Sequence, residues 1–80
     1  MVNKENRMVL YPNPASDRVD ITAQHIEEIE VYNLLGERIY RIATGRDTVG
    51  LDVSHYTNGI YIVHMKWLNN HYYKKLVVQH

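Results

Sequence analysis

The sequence predicts an all-β sandwich of about seven short antiparallel strands. Apolar residues alternate with polar ones along most of the chain, and this period of two is typical of half-buried strands. Turn-forming residues separate the alternating segments at the spacing expected of a sandwich. The aromatic residues are seven tyrosines and one tryptophan, without phenylalanine, and tyrosine suits a sheet surface that is half buried.

The pattern assigns seven strands and no helix. The second strand places Val19 and Ile21 on one face, and the third places Ile29 and Val31 inward. On the third strand the outward side chains are Glu28, Glu30 and Tyr32. Residues 24–30 are the one stretch that also fits a helix, and they fit a strand at least as well. The predicted strands are residues 8–11, 18–22, 26–32, 37–43, 49–53, 60–67 and 72–79.

Both prolines of the chain lie between the first two strands, in Leu-Tyr-Pro-Asn-Pro-Ala-Ser-Asp at residues 10–17. Each proline fixes its own φ, lacks an N–H donor and pushes the preceding residue toward extended geometry. We therefore expect a rigid, extended connection that ends the first strand and leads into the second.

Residues 33–36, Asn-Leu-Leu-Gly, predict a type I turn between the third and fourth strands. Gly36 supplies the positive φ at its end, and the Asn33 side chain can bond to the turn backbone. With Asn33 opposite Glu37, Val31 is expected opposite Ile39.

Asn69 and Asn70 predict a two-residue turn before the last strand, because asparagine tolerates the left-handed region. This register gives one apolar face, interrupted at Lys74, and one mixed face that a neighbouring domain or partner could cover. The expected pairs are Leu68 with His71, Trp67 with Tyr72, Met65 with Lys74, Val63 with Leu76, and Tyr61 with Val78.

The connection before the sixth strand is expected to cross from one sheet to the other. Gly59 ends the turn formed by residues 57–59 and needs a positive φ. Tyr56 is expected to pack beneath this crossover.

Composition excludes several classes of protein. Eighty residues allow a single domain with a modest core. Nine basic and nine acidic residues cancel, whereas a nucleic-acid module usually carries a basic excess. The longest apolar runs are far shorter than the ~20 residues of a membrane span. Residues 1–7 are polar and do not resemble a secretory signal, so we expect either a cytoplasmic protein or one domain of a longer exported chain.

No catalytic, cofactor or metal site is expected. The five histidines lack ligand spacing, cysteine is absent, and His64 and His71 are expected on one face but several residues apart. Glu28 and Glu30 share an outward face where nothing would raise a carboxyl pKa. Ser16 and Ser54 have no adjacent base, and no glycine belongs to a phosphate loop.

Lysines near the carboxyl end allow two interpretations. Lys74, Lys75 and Lys66 could steer an acidic partner. Ordinary solubility and protection of an outer strand also explain them, and the residues alone favour this second interpretation.

Four motifs, taken in order, resemble the type A carboxy-terminal sorting domain of the type IX secretion system, found on exported proteins of the Bacteroidetes. They are the Tyr/Phe-Pro-Asn-Pro opening at residues 10–15, the strand, turn and glycine at 29–39, residues 51–63, and the tail at 74–79. Together they span nearly the whole chain. The motif residues are Tyr11, Pro12, Asn13, Pro14, Gly36, Gly59, Tyr61, Lys74, Lys75, Leu76, Val77, Val78 and Gln79.

The resemblance implies an immunoglobulin-like sandwich, residues 8–80, at the carboxyl end of a larger exported protein. Such a domain is not an enzyme and binds no cofactor; it is an address read by the translocon and its outer-membrane shuttle components. It is commonly removed after export by a sortase-like cysteine peptidase, and the cargo is then held at the cell surface or released. Residues 1–7 would be a linker that follows the cargo.

A different class of function is also compatible with the sequence. An immunoglobulin-like adhesion or carbohydrate-binding module could use Tyr32, Tyr40 and Trp67 as a stacking surface. A small enzyme is less compatible, because a sandwich of this length leaves little room for a pocket.

Overall fold

The computed structural model describes residues 7–80, which form seven strands and contain no helix. The predicted leading segment, residues 1–7, lies outside this part except for Arg7. The predicted strands are confirmed, with ends that differ by at most two residues. The strands are β1 Val9–Tyr11, β2 Arg18–Thr22, β3 Glu28–Tyr32, β4 Arg38–Ala43, β5 Thr48–Asp52, β6 Gly59–Trp67 and β7 Asn70–Val78.

The strands form two sheets, and every strand pair within them is antiparallel. The three-stranded sheet has the order β1-β2-β5, and the four-stranded sheet has the order β4-β3-β6-β7. This arrangement is an immunoglobulin-like sandwich, as the family resemblance implied. β1 and β7 are edge strands on one side of the sandwich, and β4 and β5 are edge strands on the other.

The core lies between the two sheets. Val19 and Ile21 of β2 and Ile29 and Val31 of β3 are fully buried, which confirms the predicted alternation. Burial of these side chains is the main favourable term in a domain of this size. The largest fully buried side chains are Ile21, Ile26, Ile29, Met65, Leu76, Val19, Val31, Val53, Val63 and Val78.

The β3–β4 turn forms as predicted, but the pairing beyond it does not. Gly36 has φ +85° and donates its N–H to Asn33 O at 3.0 Å, and Asn33 Oδ1 accepts bonds from the turn backbone. Val31 lies opposite Tyr40 and not Ile39, because a β-bulge follows Arg38. The bulge changes the phase of β4, so that Tyr40 packs against the core and Arg41 points outward to Glu28.

The β6–β7 hairpin turns one residue earlier than predicted. Its central residues are Leu68 and Asn69, with φ of 50° and 64°, and every pairing is shifted by two residues. Met65 therefore lies opposite Tyr72, and Trp67 opposite Asn70. A shift of two leaves each side chain on its predicted face, so the hydrophobic pattern cannot distinguish the two registers.

The crossover from β5 to β6 is held by two tyrosines. The Tyr61 hydroxyl donates to Thr57 O at 2.7 Å, an arrangement like the tyrosine corner of immunoglobulin-like sandwiches. The Tyr56 and Tyr61 rings lie 5.2 Å apart, and Tyr56 packs against the core, which confirms its predicted place. Gly59 has φ +153°, as expected.

Replacing Gly36 with valine is expected to lower the free energy of unfolding by about 1–3 kcal/mol, because a β-branched residue is strained at positive φ. A Cβ at Gly36 would meet no atom within 4 Å, so the cost is conformational and not steric. Gly45→Val is the control, since a Cβ there makes only an ordinary contact with His25. Equal melting temperatures for the two variants would contradict the turn assignment.

Candidate functional site: the last strand and the proline segment

The proline segment, residues 11–15, leaves one sheet and closes the edge of the other. β1 pairs with β2 in the three-stranded sheet, whereas Ala15 forms a parallel bridge to Val78 in β7. The Ala15 N–H donates to Val77 O, and the Gln79 N–H donates to Ala15 O, both at 2.8 Å. The segment therefore joins the two sheets along one side of the sandwich.

The Asn13 side chain extends this pairing. Its Nδ2 donates to Lys75 O and its Oδ1 accepts the Val77 N–H, both at 2.9 Å. Pro12 and Pro14 have no N–H to offer, so the amide of Asn13 takes the place of a backbone peptide group. The sequence predicted rigidity here but missed this role.

The last strand places two side chains in the core, and the backbone along its outer edge bonds to the proline segment. Leu76 and Val78 are buried and lie opposite Tyr61 and Gly59. Three predicted motifs thus meet on β7: the proline segment, the residues at the start of β6, and the tail. Gly36 lies apart, in the β3–β4 turn.

The exposed side chains of the predicted motifs do not lie together on one surface. Lys74 lies on the same face of β7 as Leu76, and Lys75 lies on the opposite face, because successive side chains alternate. Both lysines are exposed. Tyr11 is 74% exposed on the outer face of the three-stranded sheet. The predicted basic pair therefore does not form one continuous surface.

A line of polar side chains crosses the outer face of the four-stranded sheet, one from each strand. Arg38 donates to Glu30 at 2.9 Å, Glu30 Oε1 lies 2.8 Å from His64 Nδ1, and His64 Nε2 lies 2.7 Å from His71 Nδ1. The two imidazoles are also stacked, and Tyr73 stacks on His64. The prediction that the histidines are separated was wrong, because the two-residue shift brings them together.

Glu30 is also not the solvated side chain that its outward position predicted. It is only 8% exposed. Hydrogen bonds from Arg38, then from His64 and Tyr32, outweigh its burial and lower the pKa of its carboxyl to about 2. Glu30 therefore remains ionised and is a poor general acid. Within residues 7–80, no group of three or more potential ligands is arranged to hold a metal ion.

The surface proposed for stacking sugars does not form. Tyr32 lies on the outer face of the four-stranded sheet, since its neighbour Val31 points inward. Tyr40 and Trp67 pack against the core from the inner side. The three rings therefore cannot form one platform. A cleft of about 340 Å³ lies on the other side of the sandwich, between the end of β4 and the start of β5, away from the proline segment.

Comparison with known proteins identifies the family of the chain. The family described as the secretion system C-terminal sorting domain matches residues 9–79. The chain belongs to this family. The sorting domain is also 32% identical over 74 residues to an endo-acting ulvan lyase of Formosa agariphila, and 32% identical over 73 residues to ulvan lyase NLR42 of Nonlabens ulvanivorans.

These two alignments cover 88% and 86% of the sorting domain but only 14% of each lyase. The word lyase in their names describes those longer proteins. As a type IX secretion tail, the sorting domain implies a cargo protein upstream and export across the outer membrane. The described part of the chain has no helix suited to crossing a membrane.

Replacing Asn13 with alanine is expected to speed hydrogen exchange at the Val77 amide and to lower the free energy of unfolding by about 1–2 kcal/mol, because two hydrogen bonds are lost. Asn13→Asp is the control that keeps the acceptor for Val77 but loses the donor to Lys75. Unchanged Val77 exchange in Asn13→Ala, measured by NMR, would contradict the bridging role.

Acid is expected to remove stability that Glu30 provides at neutral pH. A carboxyl whose pKa is lowered by folding stabilises the fold above its ordinary pKa of 4.5, and this contribution is lost as pH falls through about 2. Urea unfolding from pH 7 to pH 2 should therefore show a smaller loss of stability in Glu30→Gln than in the parent. Glu37→Gln, in the exposed turn, serves as the control. If the free energy of unfolding falls equally with pH in the parent and in Glu30→Gln, the lowered pKa of Glu30 does not stabilise the fold.

Proposed function

We propose that this sorting domain is a non-catalytic signal that directs an upstream cargo through the outer membrane by the type IX system. The meeting of three family motifs on β7 carries the proposal. A recognition unit must present the same surface whatever cargo precedes it. A closed sandwich whose first and last segments are bonded to each other meets that need.

The signal itself is proposed to be the last strand with its lysines, read by translocon or shuttle components through strand addition at an exposed sheet edge. The proline segment bonds the outer edge of β7 at Lys75, Val77 and Gln79. Strand addition would therefore use the preceding part of β7, near Tyr73, or would displace the proline segment.

After export, a sortase-like cysteine peptidase is proposed to cut upstream of residue 8, with residues 1–7 as the linker. The cargo would then stay on the cell surface or enter the medium. The position of β1 supports a cut before the fold: Leu10 is buried and pairs with Ile21, so cleavage within the sandwich would remove part of the core.

Deleting residues 75–80 from a reporter fused to the sorting domain is expected to abolish export from a type IX-competent cell, measured as reporter outside the outer membrane. Deleting the same number of residues from the leading segment, 2–7, is the control and should leave export intact. Normal delivery of the reporter by the 75–80 deletion would overturn the proposed function.

The deletion also removes Leu76 and Val78 from the core, so a second variant tests the lysines in an intact fold. Lys74→Glu with Lys75→Glu changes two exposed side chains and should reduce export while circular dichroism and melting temperature stay near those of the parent. Full export by this folded double variant would show that the lysines take no part in recognition.

A further inference from the structure

The two outer faces of the sandwich differ in charge. The outer face of the four-stranded sheet, which we call the basic face, carries four cations and two carboxylates on its strands. The outer face of the three-stranded sheet carries Arg18 with Asp20 and Asp52. The charged residues of the basic face are Arg38, Arg41, Lys66, Lys75, Glu28 and Glu30.

Both carboxylates of the basic face are already paired. Glu28 bonds to Arg41, and Glu30 bonds to Arg38 and His64. Lys66 and Lys75 form no ion pair with any residue of the described chain. The face therefore presents a net positive charge that is not neutralised from within the domain, and it attracts an acidic surface.

Exposed apolar and aromatic side chains lie among these charges. Tyr73 is 66% exposed and Ile60 is 39% exposed, with Tyr32 and Ile62 partly covered beside them. Aromatic side chains and arginine are enriched at the centres of protein interfaces, with other charged groups at the rim. The composition of the basic face is therefore that of a protein-binding surface.

The basic face is also held in one arrangement before any partner binds. The rings of His71, His64 and Tyr73 form a stack with centroids 4.9 and 4.8 Å apart, and Glu30 fixes the buried His64. In the described chain, no buried side-chain nitrogen or oxygen lacks a hydrogen-bond partner. A partner that docks here loses little free energy to side-chain ordering.

We propose that the basic face is the docking surface for an acidic protein of the export machinery. This inference rests on the proposed function and assigns recognition to a sheet face as well as to the last strand. Lys75 joins the two surfaces, because it lies at the edge of β7 and on the basic face. The acidic partner would place its own apolar residues against Ile60 and Tyr73.

Export of the reporter fusion tests the surface. Lys66→Glu with Ile60→Ser is expected to reduce export about tenfold, equivalent to about 1.4 kcal/mol of lost binding. Arg46→Glu with Val9→Ser makes the same two changes away from the basic face, at an exposed loop and on the three-stranded sheet, and should export normally. Equal export by the two folded double variants would overturn the docking surface, while a loss in the 75–80 deletion would still support the proposed function.

The chemistry of the partner is tested by photo-crosslinking in the exporting cell. A benzophenone amino acid in place of Tyr73 is expected to form an adduct with a protein that mass spectrometry identifies as acidic at the cross-linked segment. The same probe in place of Thr22, on the three-stranded sheet, is the control. A polysaccharide adduct, an adduct with a second copy of the chain, or equal yields from both positions would refute the proposal.

Discussion

The bonding of the proline segment to β7 is the constraint on which the rest of the sandwich depends. The two sheets share no strand, and the pairing of Ala15 and Asn13 with residues 75–79 links the β1 side of one sheet to the β7 edge of the other by hydrogen bonds. The link also fixes the last strand, whose Leu76 and Val78 fill the core beneath Tyr61. Three of the four predicted motifs are far apart in sequence and meet at this contact, where they close one edge of the fold. The fourth, with Gly36, lies apart in the β3–β4 turn.

The strands, the faces and the two glycine turns could be predicted because they depend on local chemistry. A period of two specifies which side chains point inward, and glycine suits the positive φ found at Gly36 and Gly59. The register of β6 with β7 could not be predicted, because a shift of two residues keeps the same faces. The bulge in β4 was also missed, although an inward Arg41 in an unbroken register was a signal that could have revealed it.

The candidate recognition surface was predictable only in part, because it also depends on strand register and on contacts between distant residues. The lysines and the last strand were named from the sequence, but the bonds of Asn13 involve residues more than sixty positions away. The polar line from Arg38 to His71 needs the correct register of three strand pairs at once. An outward glutamate is ordinarily solvated, and Glu30 is a buried carboxylate with a lowered pKa because the neighbouring strands β4 and β6 supply Arg38 and His64 as its partners. This line joins four side chains on the outer face of a small sheet by hydrogen bonds.

The separation between Asn13 and Val77 has a consequence for the timing of folding. Contacts between distant residues require closure of the loop between them, which costs chain entropy and slows folding. The edge of this sandwich needs residue 79 in place before it can close, so a chain that terminates early keeps its prolines and most of its strands but not the completed fold. Under the proposed function, a chain cut short before residue 79 would carry its cargo without a complete export signal.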